Sequence, residues 1–441
     1  MSDESRTSEP SPKAGHEGDD EEHQQTEEGK MLDDIAEQKN LIDQMPGETS
    51  DDIRSRAPHQ KKLGQLEFKY HIFAEKKRLA GALSKFEEIH GALYSEPCLI
   101  CLEDIHVHAT LSEMELFFCC GGFICRSCAW NIEESELGLD KCPLCRESLA
   151  VTSEADDAAK LIALAKRGVS WAQTDVGRSM IHGEGGFQKQ AKAGLEWLNK
   201  AAAQDYPLAL SGLSDLHREG LKSLVRKSQD KANKLMLKAA NLGHAAANSE
   251  LASHYLSGTN GFEKNPDEAY FRASVAFALD SKSEQAAFYL GCFHYDKDVP
   301  EPSLYLACYY LNIVACEDDH GIACHLYSEA VLKLTEYLHD GCHANLGSNA
   351  VPAIMFWLRK SRDLGYEDEE RLLEKGETIC QSRCANCKKG AQAGDKFKQC
   401  SKCKAQWYCS KECQVESWRA GHRKDCKRAR ILKFEDYLNA E

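Results

Sequence analysis

The chain has 441 residues, with 55 Lys and Arg against 70 Asp and Glu, a formal net charge of −15, and 21 cysteines. That length calls for several domains, the acidic balance argues against general affinity for nucleic acid, and no apolar run is long enough to span a bilayer. The start MSDESRTSEP is acidic and polar, unlike a secretory or Arg-rich transit signal; a reducing compartment, cytoplasm or nucleus, is expected, and the cysteines need an explanation other than disulfides.

Residues 1–55 are rich in Glu, Asp, Ser and Gln with few aromatics. Such a segment buries too little apolar surface to offset the entropy of ordering, so it is expected to be a disordered acidic leader. From 59 to 94 the pattern changes. Leu63, Leu66, Phe68, Ile72, Phe73, Leu79, Leu83, Phe86 and Ile89 recur at roughly helical intervals, which predicts a helix packed on whatever follows it.

Residues 95–150 carry three Cys-x-x-Cys hooks, Cys98/Cys101, Cys125/Cys128 and Cys142/Cys145, with Cys119 and Cys120 between the first two. Zinc takes four ligands in a tetrahedron, and a two-residue spacing lets one tight turn aim two thiolates at one ion. Eight ligands suffice for two ions. The series resembles a RING finger, which implies an interleaved cross-brace: Cys98, Cys101, Cys125 and Cys128 on one zinc, and Cys119, Cys120, Cys142 and Cys145 on the other. This sequence departs from that family in having adjacent third and fourth ligands. Gly121 and Gly122 supply backbone freedom there; His106 or His108 is the alternative donor.

From 152 to 370 the chain repeats itself. Ala172, Ala209, Ala247, Ala286 and Ala323 are anchors at a period in the high thirties, each followed at fixed offsets by apolar residues such as Val176, Leu213, Leu251 and Leu290. The second half of each copy reads KAGLEWLNKAAAQDY near Trp197, KANKLMLKAANLGH near Met236 and DEAYFRASVAFAL near Phe271. Small residues at fixed positions permit close helix approach, and two-helix units repeated this way stack into a solenoid. The pattern resembles the Sel-one-like repeats, relatives of the tetratricopeptide repeats, whose curved arrays bind other proteins. Cys292, Cys308, Cys316, Cys324 and Cys342 lie within it without hook spacing and read as small apolar core residues.

Residues 380–428 hold a second cysteine cluster, with 429–441 as a C-terminal tail. Cys384/Cys387 and Cys400/Cys403 are hooks; Cys409/Cys413 and His422/Cys426 are four apart, a spacing that places both members on one helical face. WYCSKECQ, then a Trp and GHRKDC, closely resembles a MYND finger. The resemblance implies Cys384, Cys387, Cys409 and Cys413 on one zinc, Cys400, Cys403, His422 and Cys426 on the other, and Gln414 and Trp418 lining a groove for a Pro-containing peptide. Cys380 falls outside the pattern as a spare thiol. The many Lys and Arg around this finger read as a solvated basic surface.

The expected fold class is therefore mainly α: an α-solenoid of helical repeats flanked by two small zinc-stabilised cross-brace domains, behind a disordered N-terminus. Four structural zinc ions are expected, because both clusters fill four positions per ion and leave none open for water. No nucleophile elbow, Walker loop, dinucleotide fingerprint or HExxH motif is present. Any activity would run through the RING-like segment, and RING fingers commonly act as ubiquitin-protein ligases, holding a charged conjugating enzyme in its reactive conformation without a covalent intermediate. By resemblance Ile100, Trp130, Pro143 and Leu144 would contact the conjugating enzyme, and Arg146 would hold ubiquitin. The alternative is a non-catalytic scaffold with two protein-binding fingers. No membrane or nucleic-acid partner is expected in either case.

Overall fold

The computed structural model describes residues 17–46, 50–106, 114–135, 140–150, 153–297, 299–337, 349–366, 369–392 and 397–439. Along the chain, α1 (Glu17–Asp43) and α2 (Ser50–His90) come first. Two antiparallel hairpins, β1 (Glu96–Pro97) with β2 (Asp104–Ile105) and β3 (Met114–Leu116) with β4 (Phe123–Cys125), lead into α3 (Arg126–Glu133). Then come α4 (Glu154–Lys166), α5 (Ser170–His182), α6 (Ala191–Ala202), α7 (Pro207–Glu219), α8 (Gln229–Asn241), α9 (Ala245–Ser257), α10 (Pro266–Leu279), α11 (Glu284–Asp296), α12 (Leu304–Glu317), α13 (Ile322–Tyr337), α14 (Val351–Asp363) and α15 (Glu369–Gln381). The hairpin β5 (Lys398–Gln399) with β6 (Trp407–Tyr408), then α16 (Lys411–Ser417), a π-turn over Trp418–His422, α17 (Arg423–Arg428) and α18 (Phe434–Asn439) close the chain. The chain divides into two compact units, one of Lys76–Ala330 with Lys360–Tyr366, the other of Met1–Glu75, Val331–Arg359 and Glu367–Glu441.

The first unit is built on the repeat array. Successive helices pack in pairs, α5 on α6, α7 on α8, α9 on α10 and α11 on α12. The anchor alanines Ala172, Ala209, Ala247, Ala286 and Ala323 are all buried, as are Val176, Leu213, Leu251 and Leu290 one turn on. Beside Val176 the helices also cross closely. At the α5–α6 crossing a Cβ on Gly194 would stand 2.5 Å from the Gly177 carbonyl oxygen, so two backbones meet where no side chain fits. The first helix of a copy ends in the left-handed region, at Gly183 (φ 82) and Gly258 (φ 67), and at Lys297 (φ 63) in the fourth copy, where a non-glycine residue bears the strain. Ser228, Asn265 and Ser303 cap the second helices through their side chains. Replacing Ala209 by Trp is expected to lower stability by about 1–3 kcal/mol through overpacking; a thermal melt of the full chain followed by helical circular dichroism checks it.

The end of α2 belongs to this unit. Phe86 and Leu93 pack with Ala245, Val275 and Leu279 of the third copy. Arg78 donates to the Ser274 hydroxyl at 2.9 Å and lies 4.6 Å over the Tyr270 ring. The helix expected over 59–94 thus begins earlier, at Ser50, and stops at His90.

In the second unit the first part of α2 packs against α1. Met31, Ile35 and Ile42 of α1 are buried, Gln38 and His59 meet at 3.1 Å, and Lys39 pairs with Glu67 at 2.8 Å. Residues 1–16 lie outside the described residues, but the leader expected to be disordered contains α1. Its apolar stripe is thin, one residue per turn or so, and disappears in an average over 55 acidic and polar positions. The C-terminal tail is also anchored: Phe434 meets Phe68 edge-on at 5.4 Å, and Gln65 donates to the Leu438 carbonyl at 2.9 Å.

Candidate metal centres

Four of the five Cys-x-x-Cys hooks close as the same turn. The residue after the second cysteine donates its N–H to the carbonyl of the first: Leu102 to Cys98 (2.9 Å), Arg146 to Cys142 (2.8 Å), Lys388 to Cys384 (3.0 Å) and Lys404 to Cys400 (2.9 Å). Each donor has positive φ, 64, 67, 60 and 52°, a conformation that costs a side-chain-bearing residue about 1 kcal/mol or more. The turn is worth that strain because it points two sulfurs the same way. The fifth hook differs. Cys125 is the N-cap of α3 and its sulfur accepts from the Cys128 N–H, so the start of a helix brings that pair together.

The turns converge in four groups: Cys98, Cys101, Cys125 and Cys128; Cys119, Cys120, Cys142 and Cys145; Cys384, Cys387, Cys409 and Cys413; and Cys400, Cys403, His422 and Cys426. Within each group the donor atoms all lie within 4.8 Å of one another. Ligands about 2.3 Å from a tetrahedral zinc stand about 3.8 Å apart. Cys101 and Cys125 are 3.8 Å apart, Cys120 and Cys142 3.8 Å, and Cys387 and Cys409 3.6 Å. The adjacent cysteines both reach the second group, with Cys119 3.4 Å from Cys145. His106 is not in that group, and His108 lies outside the described residues.

Backbone N–H groups favour the thiolate at a buried cysteine of each finger, while desolvation and neighbouring sulfurs push others such as Cys120 and Cys426 the opposite way. Burial would raise the Cys98 pKa, but the N–H groups of Cys125, Cys101 and Ile100 outweigh it and bring it down to about 6. Cys384 is likewise brought to about 6 by the N–H groups of Cys409, Cys387 and Asn386. His422 is buried, and desolvation lowers its pKa to about 4, leaving the neutral imidazole that a metal requires. Its Nε2 stands 3.3 Å from the Cys400 sulfur and 3.6 Å from that of Cys403. The donor sets and spacings fit closed structural zinc, and these sixteen residues would hold four ions.

The two pairs four residues apart do not each share one helical face as expected. Cys409 precedes α16, which holds Cys413, and His422 ends the π-turn, before α17, which holds Cys426. Gly421, at φ 149, breaks the helix there and re-aims His422 relative to Cys426, a frequent use of a π-turn at a functional position. A further side chain that the motif did not announce is Arg359 of α14. It donates to the carbonyls of Cys403 (3.0 Å) and Lys404 (2.6 Å) and pairs with Glu377 at 3.0 Å, bracing the Cys400–Cys403 turn from outside.

The remaining described cysteines stand outside the four groups. Cys308 and Cys324 are fully buried, with thiol pKa values raised by desolvation, whereas Cys316 is only half-buried. Cys292 and Cys380 are half-buried and also raised; Cys342 lies outside the described residues.

Ile100 and Trp130 do not pack the first finger's interior, which is formed by Ile105, Met114, Phe117, Phe123, Ile124 and Ala129 around Cys98 and Cys142. They are 45% and 54% exposed, with Leu99 at 49%. Leu99 and Leu144 flank Gly122, where a Cβ would meet their methyls at 2.8 and 2.5 Å. Pro143 is half-buried and Arg146 exposed. In the second finger Gln414 and Trp418 sit one turn apart, both half-buried. The Trp418 ring lies 5.7 Å from that of His422, with the Lys402 ammonium 5.3 Å from its centroid.

The MYND finger family matches residues 384–426, and the Sel1 repeat family matches 172–206, 207–244 and 245–271. Among solved structures, a Sel1 repeat protein from Oxalobacter formigenes is 21% identical, covering 52% of this chain and 84% of that one, at a TM-score of 0.40. The protein c5321, described as a protective antigen of uropathogenic Escherichia coli with an SLR fold, is 17% identical over 67% of this chain and 52% of its own, at a TM-score of 0.41; the match spans about half its length. The chain thus joins a zinc-binding MYND finger to Sel1 repeats, an arrangement of protein-interaction modules. No helix of the described residues is long and apolar enough to cross a membrane.

Proposed function

We propose that this chain is a RING-type ubiquitin-protein ligase that recruits its substrates through the Sel1 repeats and the MYND finger. The observation that carries the reading is the solvent-facing apolar group of Leu99, Ile100 and Trp130 beside the first zinc cluster, with Pro143, Leu144 and Arg146 on the turn of the second. Exposed apolar side chains on a domain this small cost solubility unless something covers them, and by resemblance Ile100, Trp130, Pro143 and Leu144 match the positions where a RING finger meets its conjugating enzyme. The two interleaved thiolate clusters support the same reading, since they build the cross-brace that such a surface needs. Incubating the full chain with ubiquitin, activating enzyme, ATP and a panel of conjugating enzymes tests it: ubiquitin should accumulate on the chain itself, and a Cys98→Ser variant should be inactive.

A second reading, a non-catalytic scaffold, draws on the matched MYND and Sel1 segments, which bind proteins without chemistry of their own. Both readings share the MYND groove. Gln414→Ala is expected to weaken binding of a Pro-containing peptide while all zinc is retained, because Gln414 stands off the cluster. Trp418→Ala should cost more, about 2 kcal/mol or some thirtyfold in Kd, and should loosen His422, on which its ring packs. Titration of labelled peptide alongside zinc content separates the two effects.

A further inference from the structure

We infer that Trp171, in the first turn of α5, is a positioning residue for the second zinc cluster of the N-terminal finger, so that the repeat array sets the geometry of that cluster. The inference starts from an awkward feature of the sequence. Cys119 and Cys120 are adjacent, and neighbouring side chains reach one ion only if the backbone around them is held in an unusual turn. The turn is Gly121–Gly122. Gly121 has φ 83° and its N–H donates to the Phe117 carbonyl at 2.8 Å. Its own carbonyl accepts from the Trp171 indole Nε1–H at 3.1 Å, a bond that spans fifty residues of sequence.

Trp171 is 4% exposed and cannot simply swing away. Its ring lies 5.7 Å from that of Phe118. On the same side, a Cβ on Gly121 would stand 2.9 Å from a Leu164 methyl and 3.3 Å from one of Val169. The ligand loop is therefore closed over by α4, α5 and the residues joining them, with the Trp171 indole N–H aimed at its Gly121 carbonyl. On its other side the loop carries Gly122, in contact with Leu99 and Leu144. Leu116 of the finger and Tyr94 just before it pack against the same array core as Trp171, and the Tyr94 ring meets Tyr206 at 5.9 Å. The finger is seated on the first repeat, and Trp171 is the polar contact at the ligands. Groups outside the coordination shell that fix ligand orientation typically change metal affinity by about 10–100-fold when removed.

The test uses the full chain. Trp171→Phe keeps an aromatic filler and removes only the donor. Loaded with cadmium-113, the wild-type protein should give three all-sulfur resonances and one from the site containing His422. In the variant one all-sulfur resonance should move, and one zinc of four should pass to a chromophoric chelator roughly tenfold faster, with helical circular dichroism unchanged. Four coincident resonances and equal release rates would overturn the inference. Should the variant not fold, the wild-type protein carries the test: an indole N–H protected from exchange with zinc bound should lose that protection when the most labile zinc is withdrawn, and protection indifferent to zinc would overturn it. That Leu99 and Leu144, which flank Gly122, belong to a conjugating-enzyme surface rests on the ligase reading. A wild-type protein inert toward charged conjugating enzymes would remove that reading and leave both metal readouts standing.

Discussion

Cys98→Ser and Cys384→Ser are each expected to strip a finger of zinc and of its fold together. Structural zinc contributes about 10–16 kcal/mol of apparent binding free energy in small fingers, comparable to or larger than the ~5–15 kcal/mol that holds a whole domain together. Neither finger has the apolar interior to survive that loss. In the first, the core includes Cys98 and Cys142, one from each cluster; in the second, Cys384, Cys400 and Cys426 surround Tyr408. Because both clusters share one interior, losing one ion should loosen the second, and zinc content should fall from four per chain toward two. The control is Cys308→Ser. Cys308 is fully buried but stands in the repeat array, outside every cluster, so that variant should keep four ions while paying ~1–3 kcal/mol for a buried hydroxyl. Zinc quantification on each purified variant decides this. A wild-type content near two would mean that one finger is not a cross-brace.

The second large effect concerns transfer chemistry. Ile100→Ala should lower ubiquitin discharge by more than tenfold without releasing zinc. The side chain is exposed beside the first cluster, and truncating a central apolar contact can cost ~2 kcal/mol of binding. Arg146 requires a more careful substitution, because its φ of 67° is strained for alanine. Lys388 and Lys404 occupy the same step of the same turn at φ 60 and 52°. Arg146→Lys should therefore keep the turn, while removing the planar fork that can make two hydrogen bonds at once. Conjugating-enzyme binding should stay near the wild-type level while discharge slows. Equal losses of binding and rate in both variants would mean that Arg146 only shapes the turn.

Much of this architecture could be read directly from residue spacing. Hook intervals specify which sulfurs can share an ion, and the alanines at 172, 209, 247, 286 and 323 recur as buried small residues of the repeat core. What escaped was set by contacts distant in sequence. The stripe of Met31, Ile35 and Ile42 is too sparse to outweigh its acidic surroundings until α2 is available to cover it. The tail from 429 onward looked featureless because Phe434 gains its partner, Phe68, from the far end of the chain. Arg359 and Trp171 belong to helices whose own periodicity explains them without reference to zinc, and only the fold places their N–H groups against the Cys403 and Gly121 carbonyls. The positive φ of Arg146 was likewise invisible, since arginine carries no signal for a left-handed turn.

The most direct measurement is single-turnover discharge of conjugating enzymes charged with ubiquitin onto free lysine, run with zinc-replete full-length protein across a broad panel. The account predicts that at least one conjugating enzyme is discharged faster in its presence, that Ile100→Ala abolishes the acceleration, and that Cys98→Ser does so with loss of zinc. No acceleration with any member of the panel, from protein carrying its four zinc ions, would contradict the ligase reading and leave the chain as a scaffold of interaction modules.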